Sequence, residues 1–146
     1  FNITVKKEDF KVVANGVFED RILFKQKWMQ TLEYSPILGI YRIPDCFAVG
    51  GHWYFHFNGN DEFWFTDAEG NKVLKFASGY NHANYGMIMA NVETDYEMGY
   101  DTTIPGIEGQ FYVVMSMTVS AGTFGTNYEL FDIQEWLEKP WETNAE

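Results

Sequence analysis

Cysteine and basic residues are scarce in this chain of 146 residues. A single cysteine, Cys46, excludes an intrachain disulfide and a zinc site built on several thiolates. We expect it to be a buried, inert thiol. Only 10 basic residues accompany 21 acidic ones, and the net charge of −11 repels phosphate backbones and anionic membranes. We therefore predict no nucleic-acid partner and no membrane association.

The chain also has no long apolar run and no nucleotide-binding motif. No stretch approaches the roughly 18 apolar residues that a membrane-spanning helix requires. A G-x-S-x-G elbow, a phosphate loop and a dinucleotide fingerprint are all missing from the sequence. We therefore predict no cofactor. An enzyme of this sequence would work without one, as a lyase, isomerase or cyclase in a barrel cavity.

Aromatic residues, in contrast, are abundant. They make up 18% of the chain, and 46% of its residues are hydrophobic, which is enough to build a core. Aromatic side chains suit the half-buried surface of a pleated sheet. We predict one β domain over residues 1–146, with a frayed tail from about residue 140. Its fold is all-β, an antiparallel barrel or two-sheet sandwich of about eight to ten strands with little helix.

The clearest strand lies at residues 52–58, His-Trp-Tyr-Phe-His-Phe-Asn. Because side chains alternate between the two faces of a strand, one face carries only apolar rings. The other face carries neutral hydrogen-bonding groups, which suit a hydroxyl-rich ligand or a carbonyl that must be polarised. The apolar face holds Trp53, Phe55 and Phe57, and the polar face holds His52, Tyr54, His56 and Asn58. The alternative is an exposed polar face that binds nothing.

Apolar and alternating patterns predict further strands along the chain. These cover residues 62–66, 72–77, 86–92, 110–119 and 127–133. Residues 78–85 are predicted to form a polar, aromatic loop. Asn15-Gly16 is a turn signal.

Two segments favour helical structure. Residues 19–34 partly match helical spacing and begin with two acidic residues, so we predict a helix or helical turn there. Equally, Ile22, Phe24 and Trp28 could lie on one face of a strand pair. Residues 134–139 are predicted to form a second helical turn, which Pro140 ends.

The histidines and the acidic turns raise the question of a metal site. His52 and His56 are four residues apart, which in a strand separates them by about 13 Å. That distance is too long for one ion. The oxygen-rich turns at 58–61 and 67–71 could bind calcium, but such residues are normal in hairpins for backbone reasons. We predict no metal site.

Candidate site residues come from the central strand and its neighbours. For acid–base catalysis we assign His56 or Tyr54 as the acid or base, with Glu62 as an acidic partner. Trp64 is the best candidate for a flat ring on which a sugar stacks, provided that one face of its strand is open. The predicted ligand-binding residues are His52, Asn58, Trp64 and His82.

Two local sequence similarities accompany this prediction. Residues 61–73, Asp-Glu-Phe-Trp-Phe-Thr-Asp-Ala-Glu-Gly-Asn-Lys-Val, resemble a hairpin of dirigent and allene-oxide-cyclase-like barrels. Those hairpins have an acidic, aromatic strand, then Asp-x-x-Gly and a return strand. The triplet at 51–53, Gly-His-Trp, is similar to one in lipocalin-like barrels. Both similarities imply a barrel. They cover about a tenth of the chain, and we transfer no functional residue from either family.

Three hypotheses for function follow. The first is a protein that binds a small organic molecule or a sugar, on the surface or in a cavity of an aromatic-rich barrel or sandwich. The second is a cofactor-independent enzyme in such a cavity, which predicts an abnormally titrating ring or carboxylate. The third is an acidic inhibitor or interaction module, whose function is spread over a charged face.

Overall fold

Antiparallel strands make up almost all of the structure. The computed structural model describes residues 9–47, 51–57, 63–92, 98–101 and 109–140, and no helix lies within them. The ten strands are β1 (Lys11–Asp20), β2 (Gln26–Ser35), β3 (Ile40–Ile43), β4 (Trp53–Phe57), β5 (Phe63–Thr66), β6 (Lys75–His82), β7 (Gly86–Asn91), β8 (Met98–Asp101), β9 (Gly109–Val119) and β10 (Gly122–Trp136). The predicted all-β fold is confirmed.

The strands form one continuous sheet that curls into a half-barrel. Their order is β5-β4-β3-β2-β1-β10-β9-β7-β6, and β8 pairs with β9 beside β7. The curl brings the two ends of the sheet together. The indole N–H of Trp53 in β4 donates to the carbonyl of Ser78 in β6 at 2.8 Å. A Cβ on Gly51 would lie 2.4 Å from the Cα of Gly79, so this approach requires glycine.

The concave face of the curled sheet is the hydrophobic core. Its largest side chains are aromatic, and their rings touch across the interior: Phe111 of β9 lies 5.1 Å from Phe55 and 5.0 Å from Phe63. Predicted alternation is confirmed on β4 and β9. The inward positions are buried: Trp53, Phe55, Phe57, Phe111, Val113, Met115 and Met117. About 20 Å³ remains between the described core side chains on this face, which is room for one water and no organic ligand.

The helix predicted at 19–34 is wrong. Residues 19 and 20 end β1, residues 21–25 form a tight loop, and β2 begins at Gln26. In the register of β1 and β2, Trp28 lies opposite Phe18, with their ring centroids 5.3 Å apart. The contact with β1 therefore outweighs a partly helical spacing, because helical propensity is a weak preference that tertiary packing overrides. The alternative, a strand pair, is correct for Trp28 in β2, whereas Ile22 and Phe24 lie in the loop before that strand.

Three smaller predictions are also wrong. Residues 78–82 continue β6 instead of forming a loop, and the helical turn predicted at 134–139 is largely the end of β10. The turn predicted at Asn15-Gly16 is a β-bulge inside β1. A Cβ on Gly16 would lie 2.4 Å from the backbone oxygen of Asp132 in β10. Glycine is needed at this position because β1 and β10 approach closely, and not because the chain turns.

The predicted frayed tail at residues 141–146 lies outside the described residues. Within the part of the chain that the structure describes, no helix is long and apolar enough to cross a membrane.

Candidate functional site

The polar row predicted on the central strand lies on the convex, outer face of the sheet. His52, Tyr54 and His56 are all half-buried there, opposite to the buried rings of the same strand. Asn58 and Glu62, which were predicted beside them, lie outside the described residues. The assignment of these groups as ligand-binding or acid–base residues stays a prediction, and it now refers to an outer surface.

Trp64 lies on the same outer face, and its ring contacts two other side chains of the protein. The His56 ring stacks on the Trp64 indole, with centroids 4.3 Å apart and planes 19° from parallel. The ammonium of Lys72 lies 4.9 Å from the indole centroid. His56 belongs to β4, which pairs with one edge of β5. Lys72 pairs with Thr66 at the other edge of β5. A sugar would have to displace one of these neighbours to stack on Trp64.

The remaining outer groups also have partners within the chain. Tyr54 lies opposite Arg42 of β3, and the Tyr54 ring is 5.9 Å from the Phe10 ring. Arg42 forms an ion pair with Glu33 at 2.6 Å. His52 accepts a hydrogen bond at Nδ1 from the Asp45 amide at 2.9 Å. These contacts hold β2, β3 and β4 together on their outer side.

His82 belongs to a different group of rings. It ends β6, and its ring lies 5.0 Å from Tyr85 and 5.4 Å from Phe124. Its Nδ1 accepts the Asn84 amide at 3.0 Å within the β6–β7 turn. Tyr85 and Phe124 also line a pocket of about 210 Å³ beside the β9–β10 turn. The structure therefore separates His82 from the row on β4.

In the oxygen-rich turn at 67–71, the Asp67 carboxylate accepts hydrogen bonds from residues of the same turn. Asp67 Oδ1 accepts the amides of Glu69 and Asn71, each at 2.9 Å, and Oδ2 accepts the Asn71 side chain at 3.1 Å. These hydrogen bonds lower the pKa of Asp67, the Asn71 amide most of all. The residue is partly exposed to solvent, and its carboxylate stabilises the turn.

A larger concave site lies at the end of the half-barrel where β1 joins β2 and β3 joins β4. We call it the mouth pocket, and its volume is about 410 Å³. This lies within the range of small-molecule sites, about 300–1,000 Å³. Its lining is mainly apolar with a few polar groups: Phe24, Gln26, Trp28, Met29, Gln30, Asp45, Cys46 and Phe47.

The walls of the mouth pocket are held by specific contacts. Gln30 accepts the Trp28 indole N–H at 3.1 Å and donates to the carbonyl of Pro44 at 2.7 Å, so its amide has a set orientation. Phe47 packs against Trp28 at 5.8 Å and against Phe24 at 5.7 Å. Phe24 is 39% exposed and Met29 is 70% exposed, so apolar surface faces solvent at the rim.

Two buried carboxyl groups lie beside this pocket. Asp20 is 0% exposed and Glu129 is 2% exposed, and we call them the carboxyl pair. Asp20 accepts the amides of Ile22, Leu23 and Phe24 at 3.0, 3.2 and 2.6 Å. Glu129 Oε1 accepts the Arg21 amide at 2.9 Å. The pair therefore binds the amides of residues 21–24, in the loop that supplies Phe24 to the pocket.

Glu129 is a neutral acid at pH 7. Burial, a side-chain hydrogen bond with Asp20 and the charge of Asp20 raise its pKa to about 10, against a smaller opposing effect of Arg21. Its Oε2 is buried and accepts no hydrogen bond from the described residues. Two carboxylates have no hydrogen to share, so a hydrogen bond between Glu129 and Asp20 requires a proton on one of them. We place that proton on Glu129.

Cys46 lies between the mouth pocket and the carboxyl pair. Its side chain lines the pocket, yet the residue is only 1% exposed. Burial raises the pKa of its thiol well above the usual range, and the neighbouring carboxyl groups of Glu129, Asp20 and Asp45 add to this effect as they ionise. The prediction of a buried thiol is confirmed, and this environment disfavours the nucleophilic thiolate.

Neither the carboxyl pair nor the mouth pocket was predicted from the sequence. Glu129 carried a readable signal, because it shares the inward period of Phe131 and Ile133 in the predicted strand 127–133. An acid at an inward strand position is rarely buried without a partner. Asp20 carried no such signal, since the segment that contains it was predicted to be helical.

Comparison with protein-family models, with curated proteins and with solved structures gave no match. The local similarities at 61–73 and 51–53 are therefore not accompanied by a family assignment. What defines the protein is its class: an aromatic-rich half-barrel of antiparallel strands.

Proposed function

We propose that the protein binds a small, largely apolar organic molecule in the mouth pocket. The observation that supports this most directly is the pocket of about 410 Å³ whose rim exposes Phe24 and Met29 to solvent. When a ligand covers exposed apolar side chains around a concave surface, the free energy falls because apolar surface is removed from water. This is the first of the three hypotheses, with the ligand site at the end of the sheet.

The polar groups of the pocket suit a ligand with one or two hydrogen-bonding atoms. Gln30 is oriented by Trp28 and Pro44. Asp45 is positioned by the hydrogen bond that its backbone amide donates to His52. Few oriented polar groups among apolar walls are typical of sites that fix the direction of a small molecule. His52, predicted as a ligand-binding residue, would then act by holding a pocket residue.

Binding a sugar on the outer face is less well supported, because His56 stacks on Trp64 and covers the indole. An enzyme that uses Tyr54 and His56 would act on that same outer face, since neither residue lines the mouth pocket. The geometry therefore favours binding at the mouth over both of these alternatives.

The test is fluorescence titration with N-phenyl-1-naphthylamine, a neutral apolar dye whose emission rises in apolar surroundings. We expect saturable binding to the wild-type protein at pH 7. Met29→Lys places a charge in the pocket lining at a side chain that is already 70% exposed, so the fold tolerates it. This variant should bind the dye at least about tenfold more weakly, because ligand binding would leave the ammonium poorly hydrated.

Met87→Lys is the matched control. Met87 is 40% exposed on β7 and does not line the mouth pocket. It should bind the dye as the wild type does. Equal weakening in both variants, or no saturable binding to the wild type, would show that the mouth pocket is not the site.

A further inference from the structure

The carboxyl pair and the mouth pocket are connected by one short loop. Residues 21–24 run from the end of β1 to Phe24, and each of their four amides donates to the pair. Phe24 then packs on Phe47 at 5.7 Å and on Tyr80 at 5.0 Å, forming part of the pocket wall. A change in the pair is therefore transmitted to the wall through backbone hydrogen bonds.

We propose that the carboxyl pair positions the wall of the mouth pocket, and that the proton shared by Glu129 and Asp20 couples ligand binding to pH. The inference rests on the proposed function and adds its regulation. With the proton present, Glu129 is a neutral group that hydrogen-bonds to Asp20. Without it, two negative charges meet in a water-excluded space, and relief requires that the loop at 21–24 move.

The surroundings of Glu129 offer little compensation for a second charge. The charged or titratable groups around it are Asp20 of β1, Arg21 of the loop and Cys46 of the β3–β4 segment. Arg21 helps through its amide and its charge, but its guanidinium lies over the Tyr128 ring at 4.3 Å. Tyr112 of β9 lines the same narrow space as Glu129, and the other residues there are apolar, such as Phe18 and Trp53. Loss of the proton therefore strains the loop before it strains the sheet.

The experiment measures the affinity for N-phenyl-1-naphthylamine between pH 7 and pH 10.5, with circular dichroism to confirm that the protein stays folded. At half a unit above the pKa of Glu129, about a quarter of the molecules keep the proton. We expect the wild-type affinity to fall about fourfold by pH 10.5. Glu129→Gln keeps a neutral group with a donor for Asp20, so its affinity should not change with pH.

Glu135→Gln is the matched control on the same strand, because Glu135 is an exposed acid near the other end of β10. It should follow the wild-type profile. If the dye binds in the mouth pocket and Glu129→Gln shows the same pH profile as the wild type, the coupling is wrong and the proposed function stands. If the dye does not bind at pH 7, the proposed function fails and the coupling fails with it.

A measurement without ligand tests the positioning role alone. Ile22 lies in the loop, and its methyl Cγ2 is 3.3 Å from where a Cβ on Gly125 would be. In protein labelled at isoleucine methyl groups, the Ile22 methyl signal should shift with pH in the wild type and stay constant in Glu129→Gln. The buried Ile88 methyl on β7 serves as the reference. An Ile22 signal that titrates equally in both proteins overturns the proposal.

Discussion

Two aspartates in this protein make nearly the same local structure in opposite environments. Asp20 ends β1 and Asp67 follows β5, and each carboxylate accepts hydrogen bonds from amides two to four residues ahead. Asp67 is partly exposed to solvent, and its turn follows β5. Asp20 is completely buried and shares its site with Glu129. The two turns therefore differ in one respect. At Asp20, water is excluded and a second acid, Glu129, shares the buried site.

The largest difference should appear on truncation of the two aspartates. Asp20→Ala leaves three loop amides and Glu129 without their partner in a buried site, and we expect a loss of roughly 4 kcal/mol in the free energy of unfolding. Asp67→Ala should lose less than about 1 kcal/mol, because water replaces its hydrogen bonds. Urea denaturation of both variants measures the two values. Similar losses would show that burial is not what separates the turns.

The next largest effect concerns Glu129. Its pKa is about 10 when folded and about 4.5 when unfolded, so the folded state holds a proton that the unfolded state releases between these values. The contribution of Glu129 to stability is therefore greatest below pH 4.5 and is lost as the pH rises towards 10. At pH 7 the loss relative to acid pH is roughly 3 kcal/mol.

Glu129→Gln should remove this dependence and be more stable than the wild type at pH 7 by about the same amount. The check is the free energy of unfolding of both proteins at several pH values between 5 and 9. A constant difference between the two curves across that range would contradict the assignment of a neutral Glu129.

Asp67 should show the opposite pH dependence with a smaller amplitude. Its pKa is lowered in the folded state, so its contribution is present above the usual range of an aspartate and lost as the pH falls through the folded value. Asp67→Asn should reduce the loss of stability that occurs as the pH falls below about 4, by less than about 1 kcal/mol. Thermal melts in that range against the wild type would show it, and an effect on the alkaline side would not fit.

The smallest effect is expected on the outer face. His56→Ala removes the ring that stacks on Trp64, and the stack contributes about 0.5–1 kcal/mol because it is only half-buried. The same change uncovers the indole. Acrylamide quenching of the tryptophan fluorescence should therefore rise, while dye binding in the mouth pocket stays as in the wild type. Loss of dye binding in this variant would connect the two regions and contradict their separation.

Much of the fold could be predicted from particular residues. Trp53, Phe55 and Phe57 alternate with polar neighbours, so their inward placement followed from the period of two. The run at 110–119 was predicted for the same reason, and its inward side chains are buried. The loop and β2 at 21–35 could not be recognised, because Asp20 ends a strand by binding the amides of residues 22–24, and the local spacing there also suits a helix.

The candidate site could also be predicted from the sequence only in part. The outer position of His52, Tyr54 and His56 followed from alternation, but the stacking of His56 on Trp64 depends on the register of β4 against β5. Glu129 could have been noticed as an acid among inward residues. Its meeting with Asp20 joins residues 109 positions apart, and no local pattern contains that information.

By itself, the sequence determined the central strand and the run at 110–119 and which side of each is apolar, because alternation is a property of neighbouring residues. Only the tertiary structure decided where the strand ends meet. Curling of the sheet brings the β1–β2 loop, the β3–β4 segment and β6 to one end, and this creates the mouth pocket. The same curl encloses the carboxyl pair and raises the pKa of Glu129, since exclusion of water from a site requires contributions from several distant strands.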